Sequence, residues 1–286
     1  MINAPMFNSS VFTLFCYFII YSFMGWCIET VYATINKKEF VNRGFLHGPL
    51  CPIYGFGTLS IIVLLNPIDT NYFLLFLGSV FLTSFIEYIT GYILETSFNS
   101  TWWDYSDKSY NFHGRICLSF SIIWGLVSMF ILKVVHPYII NVVNLIPPNR
   151  DSTIFYIALL YLIMDFIITV ITIFKLRSLL TQLNVAYSDL TDKLLDFKLN
   201  IGNTKDISEF RIKFDGLIES AELKVSKKKS DIENIIKELK IKYDSLIIKK
   251  YPDYSRLIKA FPNLSFKGLE SILKEVKHKV NKNRKN

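Results

Sequence analysis

Charged side chains lie within or beside several strongly apolar segments of this 286-residue chain. An ionised side chain inside a bilayer is costly unless it is paired or hydrated, so such residues are candidates for a functional site. Glu87 lies deepest in its apolar segment, and Arg43 and Arg115 precede apolar segments where they could pair with a carboxylate or a phosphate. The predicted substrate-binding residues are Glu29, Arg43, Glu87, Glu95, Asp104 and Arg115.

Some of these acidic residues also have a structural interpretation. Glu29 and Glu95 lie near the ends of their apolar segments, where each could equally well tether neighbouring helices. Asp165 is interpreted as a helix-packing or interfacial residue. Asp104 lies in "TWWDYS", which predicts either an aromatic belt at the membrane surface or a lid with Asp104 pointing inward.

The stretch "NRGFLHGPLCPIYGFG" predicts irregular backbone entering the membrane. Its prolines lack backbone donors, and its glycines permit turns or close helix contacts. Irregular backbone is tolerated at membrane depth only where protein buries it or where it lines a cavity. The predicted cavity-shaping residues, here and in the equivalent later region, are Gly48, Pro49, Cys51, Pro52, Tyr54, Gly55, Trp103, Gly114 and Cys117.

Glu, His and Cys occur together twice, but their spacing is neither C-x-x-C nor H-E-x-x-H. We therefore expect no metal and no other cofactor. The chain contains neither G-x-x-x-x-G-K-[ST] nor G-x-S-x-G, so it has no P-loop of its own and no serine-hydrolase elbow. The absence of these motifs favours a protein that is not an enzyme, but it does not exclude an enzymatic activity.

The composition is 51% hydrophobic, and the apolar residues concentrate in five stretches. Each approaches or reaches the roughly 20 residues that a helix needs to cross a bilayer. They cover about residues 11–35, 50–66, 72–96, 116–136 and 153–174. We expect the first to be a retained span rather than a signal peptide. The sequence thus predicts an all-α, polytopic membrane protein with about five transmembrane helices.

Charge separates a transmembrane domain, residues 1–174, from a basic region, residues 175–286, which holds 25 of the 32 Lys and Arg residues. Positive residues favour the cytoplasmic side, which predicts a cytoplasmic C-terminus and an N-terminus outside. The basic tail is a solvated helical surface or a contact for anionic lipid headgroups. Because the chain contains no nucleic-acid-binding motif, we expect no nucleic-acid partner.

An offset of 66 residues aligns the chain with itself. The pattern G-x-x-x-E-T, sixteen residues, then H-G-x-x-C begins at Gly25 and again at Gly91. Coincidence is the alternative to duplication. We predict a repeated two-helix unit, about 11–66 and 72–136, followed by a fifth span at 153–174. If the two units pack face to face, their polar groups meet in one pocket at the cytoplasmic membrane boundary.

The tail begins with a heptad pattern of apolar residues that predicts a coiled coil over 176–201. Further apolar runs follow at 207–221 and 232–246. The segments could fold back on one another within one chain or associate between protomers, and the heptad pattern is compatible with both arrangements.

Five motifs, in order, carry a resemblance to a known family: "YSFMGWCIETVY", "NRGFLHGPLCPIYGFG", "FIEYITGYILET", "WWDYS" and "GRICL". Over about residues 11–130 the chain resembles the bacterial Putative ABC-transporter type IV (CmpB-like) membrane proteins. The positions carried over by motif are Glu29, Asn42, Arg43, Gly44, Gly48, Pro49, Cys51, Pro52, Tyr54, Gly55, Glu87, Glu95, Trp103, Asp104, Gly114, Arg115 and Cys117.

The resemblance implies a permease in the bacterial plasma membrane, surrounded by lipid and served by a separate ATP-binding subunit. We therefore expect a polar or charged substrate to bind in a cytoplasm-facing cavity, and the tail to provide a docking or self-association surface. Two alternatives remain. One is a membrane-embedded enzyme acting on a lipid or isoprenoid headgroup, and the other is an assembly or sensor protein that works through its coiled coil.

Overall fold

The structure, a computed structural model, describes residues 11–146, 151–201, 241 and 254–283. The chain divides into two compact units. The first contains the chain up to Lys175 together with Tyr254–Glu270, and the second contains Leu176–Asp253 and Ser271–Asn286. The domain boundary at 174/175 stays a prediction. The first unit also contains Tyr254–Glu270, a segment from near the C-terminal end of the sequence.

Helices α1 (Val11–Lys37) and α2 (Pro52–Leu65) form the first antiparallel pair. Helix α2 begins with Pro52, whose missing N–H costs nothing in a first helical turn. The amide of Cys51 donates to the carbonyl of Ser22 at 3.0 Å, which places the start of α2 beside the middle of α1. Gly55 allows this approach, because a Cβ there would lie 2.6 Å from Cδ2 of Phe18.

Helices α3 (Tyr72–Phe98) and α4 (Leu118–Phe130) form the second pair. The side chain of Asn71 caps α3 by accepting hydrogen bonds from two amides of its first turn, both at 3.1 Å. Ser84 donates to Ser121 at 2.7 Å across the pair. Helix α4 continues through a π-helical segment, Ile131–Val135, into α5 (His136–Asn144).

Both loops fold back along the longer helix of their pair. Because α2 starts beside Ser22, the last fifteen residues of α1 extend beyond it by about 22 Å at 1.5 Å per residue. Helix α4 likewise starts near Ser84, so α3 extends beyond it. Loop A, residues 38–51, and loop B, residues 99–117, therefore lie alongside the ends of α1 and α3. Loop B contains a two-stranded sheet in which β2 (Asn111–Phe112) pairs antiparallel with β3 (Ile116–Cys117).

Four helical segments within the described residues are long and apolar enough to cross a membrane: Val11–Lys37, Tyr72–Phe98, Leu118–Asn144 and Phe155–Asp189. The second predicted span, 50–66, corresponds to the shorter apolar segment Pro52–Ile68, so the count of five stays a prediction. An apolar cluster around Tyr21, Ile62 and Leu75 packs α1, α2, α3 and the α4–α5 segment together. It lies toward the end of the helices at which Lys133 pairs with Asp69, with 2.9 Å between Nζ and Oδ2.

Two helices are longer than the predicted spans. The fourth span continues past residue 136 to Asn144, because the π-helical segment carries the chain on without a break. The span predicted at 153–174 and the heptad segment predicted at 176–201 lie in one continuous helix, α6 (Asp151–Ile201), because no Gly or Pro interrupts it.

The second unit is described in part. The portion of α6 from Leu176 onward buries Leu176, Leu180 and Leu183, and the helix Glu270–Asn283 buries Ile272 and Leu273. Apart from Ile241, the predicted apolar runs at 207–221 and 232–246 lie outside the described residues. The coiled coil and its pairing stay predictions.

Candidate functional site

Glu29 is held between a tyrosine and an arginine. The hydroxyl of Tyr54 donates to Glu29 Oε1 at 2.7 Å, and Arg43 Nε lies 3.3 Å from Oε2. Tyr54 fits against α1 because residue 25 is glycine, where a Cβ would lie 2.6 Å from the Cβ of Tyr54. The amide of Arg43 donates to Thr30 at 3.3 Å, which fixes the start of loop A against α1. Both side chains of the ion pair are nearly one-third exposed, so solvent reaches them.

Asp165 of α6 positions loop A. Its carboxylate, only 6% exposed, accepts hydrogen bonds from the amides of His47 and Gly48 at 2.9 and 2.8 Å. The His47 ring also pairs with Thr169 at 2.9 Å. Burial lowers the pKa of His47, and Arg256 lowers it further while Asp165 opposes them, so the ring is neutral at neutral pH. Asp165 therefore ties α6 to the backbone of loop A, whereas the sequence predicted a helix-packing or interfacial residue.

Arg256 holds the same loop from a distant part of the sequence. Its guanidinium donates to the carbonyls of Gly44, Leu46 and Phe45 at 2.8, 2.9 and 3.3 Å. Burial lowers the pKa of Arg256 to about 10, which still leaves it charged at neutral pH. Our reading of the sequence missed this residue, since nothing in a basic tail distinguishes one Arg from its neighbours.

Arg256 belongs to a segment of the first unit, Tyr254–Glu270, which we call the strap. The strap begins with a helix over residues 254–260, and its strand β4 (Ser265–Phe266) pairs antiparallel with β1 (Ser100–Thr101) at the start of loop B. Phe261 packs edge-on against Trp102, with ring centroids 4.7 Å apart, and Lys259 pairs with Glu39 of loop A at 3.3 Å. The strap therefore contacts both loops.

The second hairpin carries its own ion pair. Arg115 donates from Nη2 and Nε to Glu95 at 2.5 and 3.1 Å, and from Nη1 to the hydroxyl of Tyr88 at 3.2 Å. The hydrogen bonds that Arg115 donates to the Glu95 carboxylate raise the pKa of Arg115. Trp103 fixes the backbone here, because its indole donates to the carbonyl of Arg115 at 2.9 Å. It can lie against α3 because residue 91 is glycine, where a Cβ would come within 3.2 Å of the indole.

Glu87 has no arginine partner among the described residues. Tyr105 of loop B donates to Glu87 Oε1 at 3.2 Å. The Oε2 atom is fully enclosed and has no hydrogen-bond partner in the described part of the chain. A buried acceptor without a partner is unusual, because the lost hydration is not replaced. Glu87 therefore has a carboxylate oxygen to which the described part of the protein provides no hydrogen-bond donor.

The polar groups of the two hairpins interact around Tyr105. Burial raises the pKa of Tyr105, the nearby charge of Glu87 raises it further, and Glu29 of the first hairpin contributes as well. Tyr54 packs edge-on against Trp124 of α4, with ring centroids 5.7 Å apart. We call Glu29, Tyr54, Glu87 and Tyr105 the carboxylate–tyrosine cluster. The ion pairs of Arg43 and Arg115 involve Glu29 itself and Glu95, two helical turns beyond Glu87.

Asp104 takes a different position from the one that a lid would require. It is exposed and accepts hydrogen bonds from the amide and hydroxyl of Ser106, at 2.9 and 2.6 Å, in a tight turn of loop B. Gly114 supports that turn with φ +67°, and a Cβ there would lie 2.7 Å from Asp104 Oδ1. The member of "TWWDYS" that reaches a carboxylate of the membrane segments is Tyr105.

Cys51 and Cys117, which precede α2 and α4, are buried, with 5% and 1% of their surfaces exposed. The repeated histidines diverge, since His47 contacts Thr169 and His113 contacts Tyr88. In the described ranges, no group of three or more His, Cys, Asp or Glu could hold a metal ion.

An apolar groove of about 310 Å³ runs between α3 and α4 beneath loop B. Ser84, Ser121 and Cys117 lie in its wall together with Tyr110 and Phe112 of loop B. Since Ser84 lies one helical turn from Glu87, the groove passes close to the carboxylate–tyrosine cluster.

A comparison with protein families places the chain. The family model described as Putative ABC-transporter type IV matches residues 16–170, which is more than half of the chain. The match includes both hairpins, loops A and B, and Asp165, and it ends before the strap. No curated protein matches the chain, and no solved structure matches it either.

Proposed function

The chain belongs to the family described as Putative ABC-transporter type IV, and from this premise we propose that it is a permease-like component that binds a polar or charged substrate in a cytoplasm-facing cavity. The observation that carries the proposal is the carboxylate–tyrosine cluster, in which groups from both hairpins interact around Tyr105. Polar groups gathered between membrane helices typically mark a substrate or ion pathway. Within this site, Glu87 offers a carboxylate oxygen that the described protein does not bind.

Arg43 and Arg115 would act as movable counterions. In the structure each neutralises a carboxylate, at 3.3 Å for Arg43–Glu29 and 2.5 Å for Arg115–Glu95. Both pairs are partly exposed, so a charged substrate could replace one partner at a modest cost. Asp104 would contribute only after a rearrangement of loop B.

The orientation is part of the proposal. Loops A and B and the strap lie at one end of the helices and contain Lys38, Lys108 and Lys259. The positive-inside rule favours a cytoplasmic position for this end, with the N-terminus outside. The predicted duplication is supported by two contacts at equivalent positions, since Gly55 meets Phe18 and, 66 residues later, Ser121 meets Ser84.

ATP-driven transport requires a separate ATPase subunit, because this chain has no P-loop. We would purify the full-length protein in mild detergent from its native cells and identify co-purifying proteins by mass spectrometry. A near-stoichiometric ATPase supports the proposal, and its reproducible absence contradicts it. Replacing Lys227, Lys228 and Lys229 together by Glu should weaken this association if the basic tail is the docking surface. The matched control replaces the same residues by Arg, which keeps the charge.

The apolar groove favours one second candidate, an activity on a lipid. Its wall could hold an acyl or isoprenyl chain while the headgroup reaches the carboxylate–tyrosine cluster. Turnover of a membrane lipid by the pure protein, lost in Glu87→Gln and kept in Asp69→Asn at the other end of the helices, would establish this activity. Transport without turnover would exclude it.

A further inference from the structure

Glu87 differs from the other carboxylates of the candidate site in its electrostatic surroundings. Glu29 and Glu95 each lie within 3.3 Å of an arginine nitrogen. Glu87 receives a single hydrogen bond, from the hydroxyl of Tyr105 at 3.2 Å, and Oε2 is enclosed without a partner in the described residues. The fold thus provides a place for the carboxyl group of Glu87 but no described counterion for its charge.

The groups that face Glu87 come from loop B and from helix α2. Tyr105 contacts the carboxylate directly, and Tyr54 lies within electrostatic reach of it. On its own helix, Ser84 lies one turn earlier, and its hydroxyl is within hydrogen-bonding distance of the Val80 carbonyl and the Ser121 hydroxyl. None of these groups carries a positive charge at neutral pH.

An ionised carboxylate buried without a counterion loses much of its hydration energy, and such groups neutralise instead. One hydrogen bond from a neutral tyrosine is too weak to offset that cost. The enclosed space at Oε2 suits a proton, which needs no cavity of its own. We propose that Glu87 is a proton-binding site, whose carboxyl group is protonated at Oε2 while Tyr105 covers it.

Release of the proton would follow movement of loop B. When Tyr105 leaves Glu87 and water enters, the O–H bond at Oε2 breaks, the proton passes to water, and a carboxylate remains that can hold a cationic group. This proposal depends on the proposed function in one respect, which is that the carboxylate–tyrosine cluster is a functional site. Protonation itself requires neither a transported substrate nor an ATPase partner.

The test is infrared difference spectroscopy of the full-length protein in lipid nanodiscs across a pH series, in H₂O and D₂O. We expect a protonated-carboxyl C=O band at neutral pH that is absent in Glu87→Gln and retained in Glu95→Gln, whose carboxylate is ion-paired in the native protein. Tyr105→Phe leaves Glu87 in place but removes the hydroxyl that stabilises its charged form. In that variant the band should persist to higher pH.

Two results would overturn the proposal. One is a neutral-pH spectrum in which Glu87→Gln removes no protonated-carboxyl intensity. The other is a band that appears only after Na⁺ and K⁺ are removed, which would identify a bound metal cation in place of the proton. If Glu87→Gln does not fold, the Tyr105→Phe variant, which retains Glu87, provides the test. A protonated-carboxyl band that disappears at the same pH in Tyr105→Phe as in the wild type would then contradict the proposal. Failure of the ATPase co-purification would leave these spectra unchanged, so the two proposals fail separately.

Discussion

Asp165 and Arg256 hold the same loop through opposite kinds of hydrogen bond. Asp165 accepts from two amides of loop A at 2.8 and 2.9 Å, whereas Arg256 donates to three of its carbonyls at 2.8 to 3.3 Å. Irregular backbone must find partners outside regular secondary structure, and these two residues supply them. Together they fix the loop that carries Arg43.

Removing the charge of Asp165 should destabilise the protein. In the native protein each carboxylate oxygen of Asp165 accepts from one backbone N–H. Asp165→Asn keeps one of these oxygens but replaces the other with an NH₂ group, so one backbone N–H loses its acceptor. We expect a loss of about 1 to 3 kcal/mol, typical of an unsatisfied buried group, measured as a lower midpoint of thermal unfolding in detergent. Asp104→Asn, at an exposed turn, is the control and should unfold close to the wild type. Equal losses in both variants would contradict the role assigned to Asp165.

Arg256 should protect Cys51, which is 5% exposed at the end of loop A. Arg256→Ala removes the donors to three carbonyls, so the loop opens more often and a maleimide labels Cys51 faster. Arg256→Lys should restore little protection, because a single ammonium cannot reproduce the planar fork of donors. The labelling rate is measured by mass spectrometry of the Cys51 peptide. Lys259→Ala, which removes a peripheral ion pair of the strap, should change that rate much less.

Gly48 should tolerate no side chain. A Cβ at this position would overlap the hydroxyl of Tyr161 and lie 2.8 Å from Asp165 Oδ2. Gly48→Ala is therefore expected to lower the yield of folded protein on size-exclusion chromatography. Gly57→Ala, where a Cβ would meet nothing within 4 Å, should behave like the wild type. Adding Tyr161→Phe to Gly48→Ala should recover part of the yield, and no recovery would show that the overlap with Tyr161 is not the cause.

Stability should fall at mildly acidic pH because of His47. Burial lowers its pKa below the ordinary histidine value of 6.5, so the unfolded chain binds the proton more readily than the folded protein. The contribution is therefore complete above about pH 6.5 and is lost as the pH falls through the lower, folded pKa. His47→Gln can still pair with Thr169 but does not titrate. The difference in unfolding midpoint between the wild type and this variant should shrink below pH 6.5, and a difference independent of pH would contradict the prediction.

The sequence predicted the helices well because their boundaries are local properties. Length, hydropathy and breakers such as Pro52 determine where α1, α2 and α3 begin and end, and the predicted family is confirmed. Arg43 and Arg115 could be proposed as partners of nearby carboxylates, because each lies a short distance along the chain from its glutamate. Whether these residues bind substrate stays a prediction.

What the sequence could not reveal depends on contacts between distant segments. Arg256 binds a loop more than 200 positions earlier, and no periodic pattern marks such a pairing. Tyr105, in the middle of "TWWDYS", was overlooked beside Asp104 because an aromatic residue at a membrane boundary has a ready explanation as an interfacial anchor. Its role appears only when loop B is seen folded back onto α3.

The strap also has a consequence for biogenesis. Synthesis proceeds from the N-terminus, and membrane helices enter the bilayer well before the last residues are translated. Loop A cannot acquire its partner Arg256 until the ribosome has passed that codon, so a nascent chain carries an incomplete loop next to the cluster. Translation that stops early would leave this protein inserted but unfinished. In a truncated chain, the carbonyls of Gly44, Phe45 and Leu46 therefore lack the donors that Arg256 supplies to the complete loop.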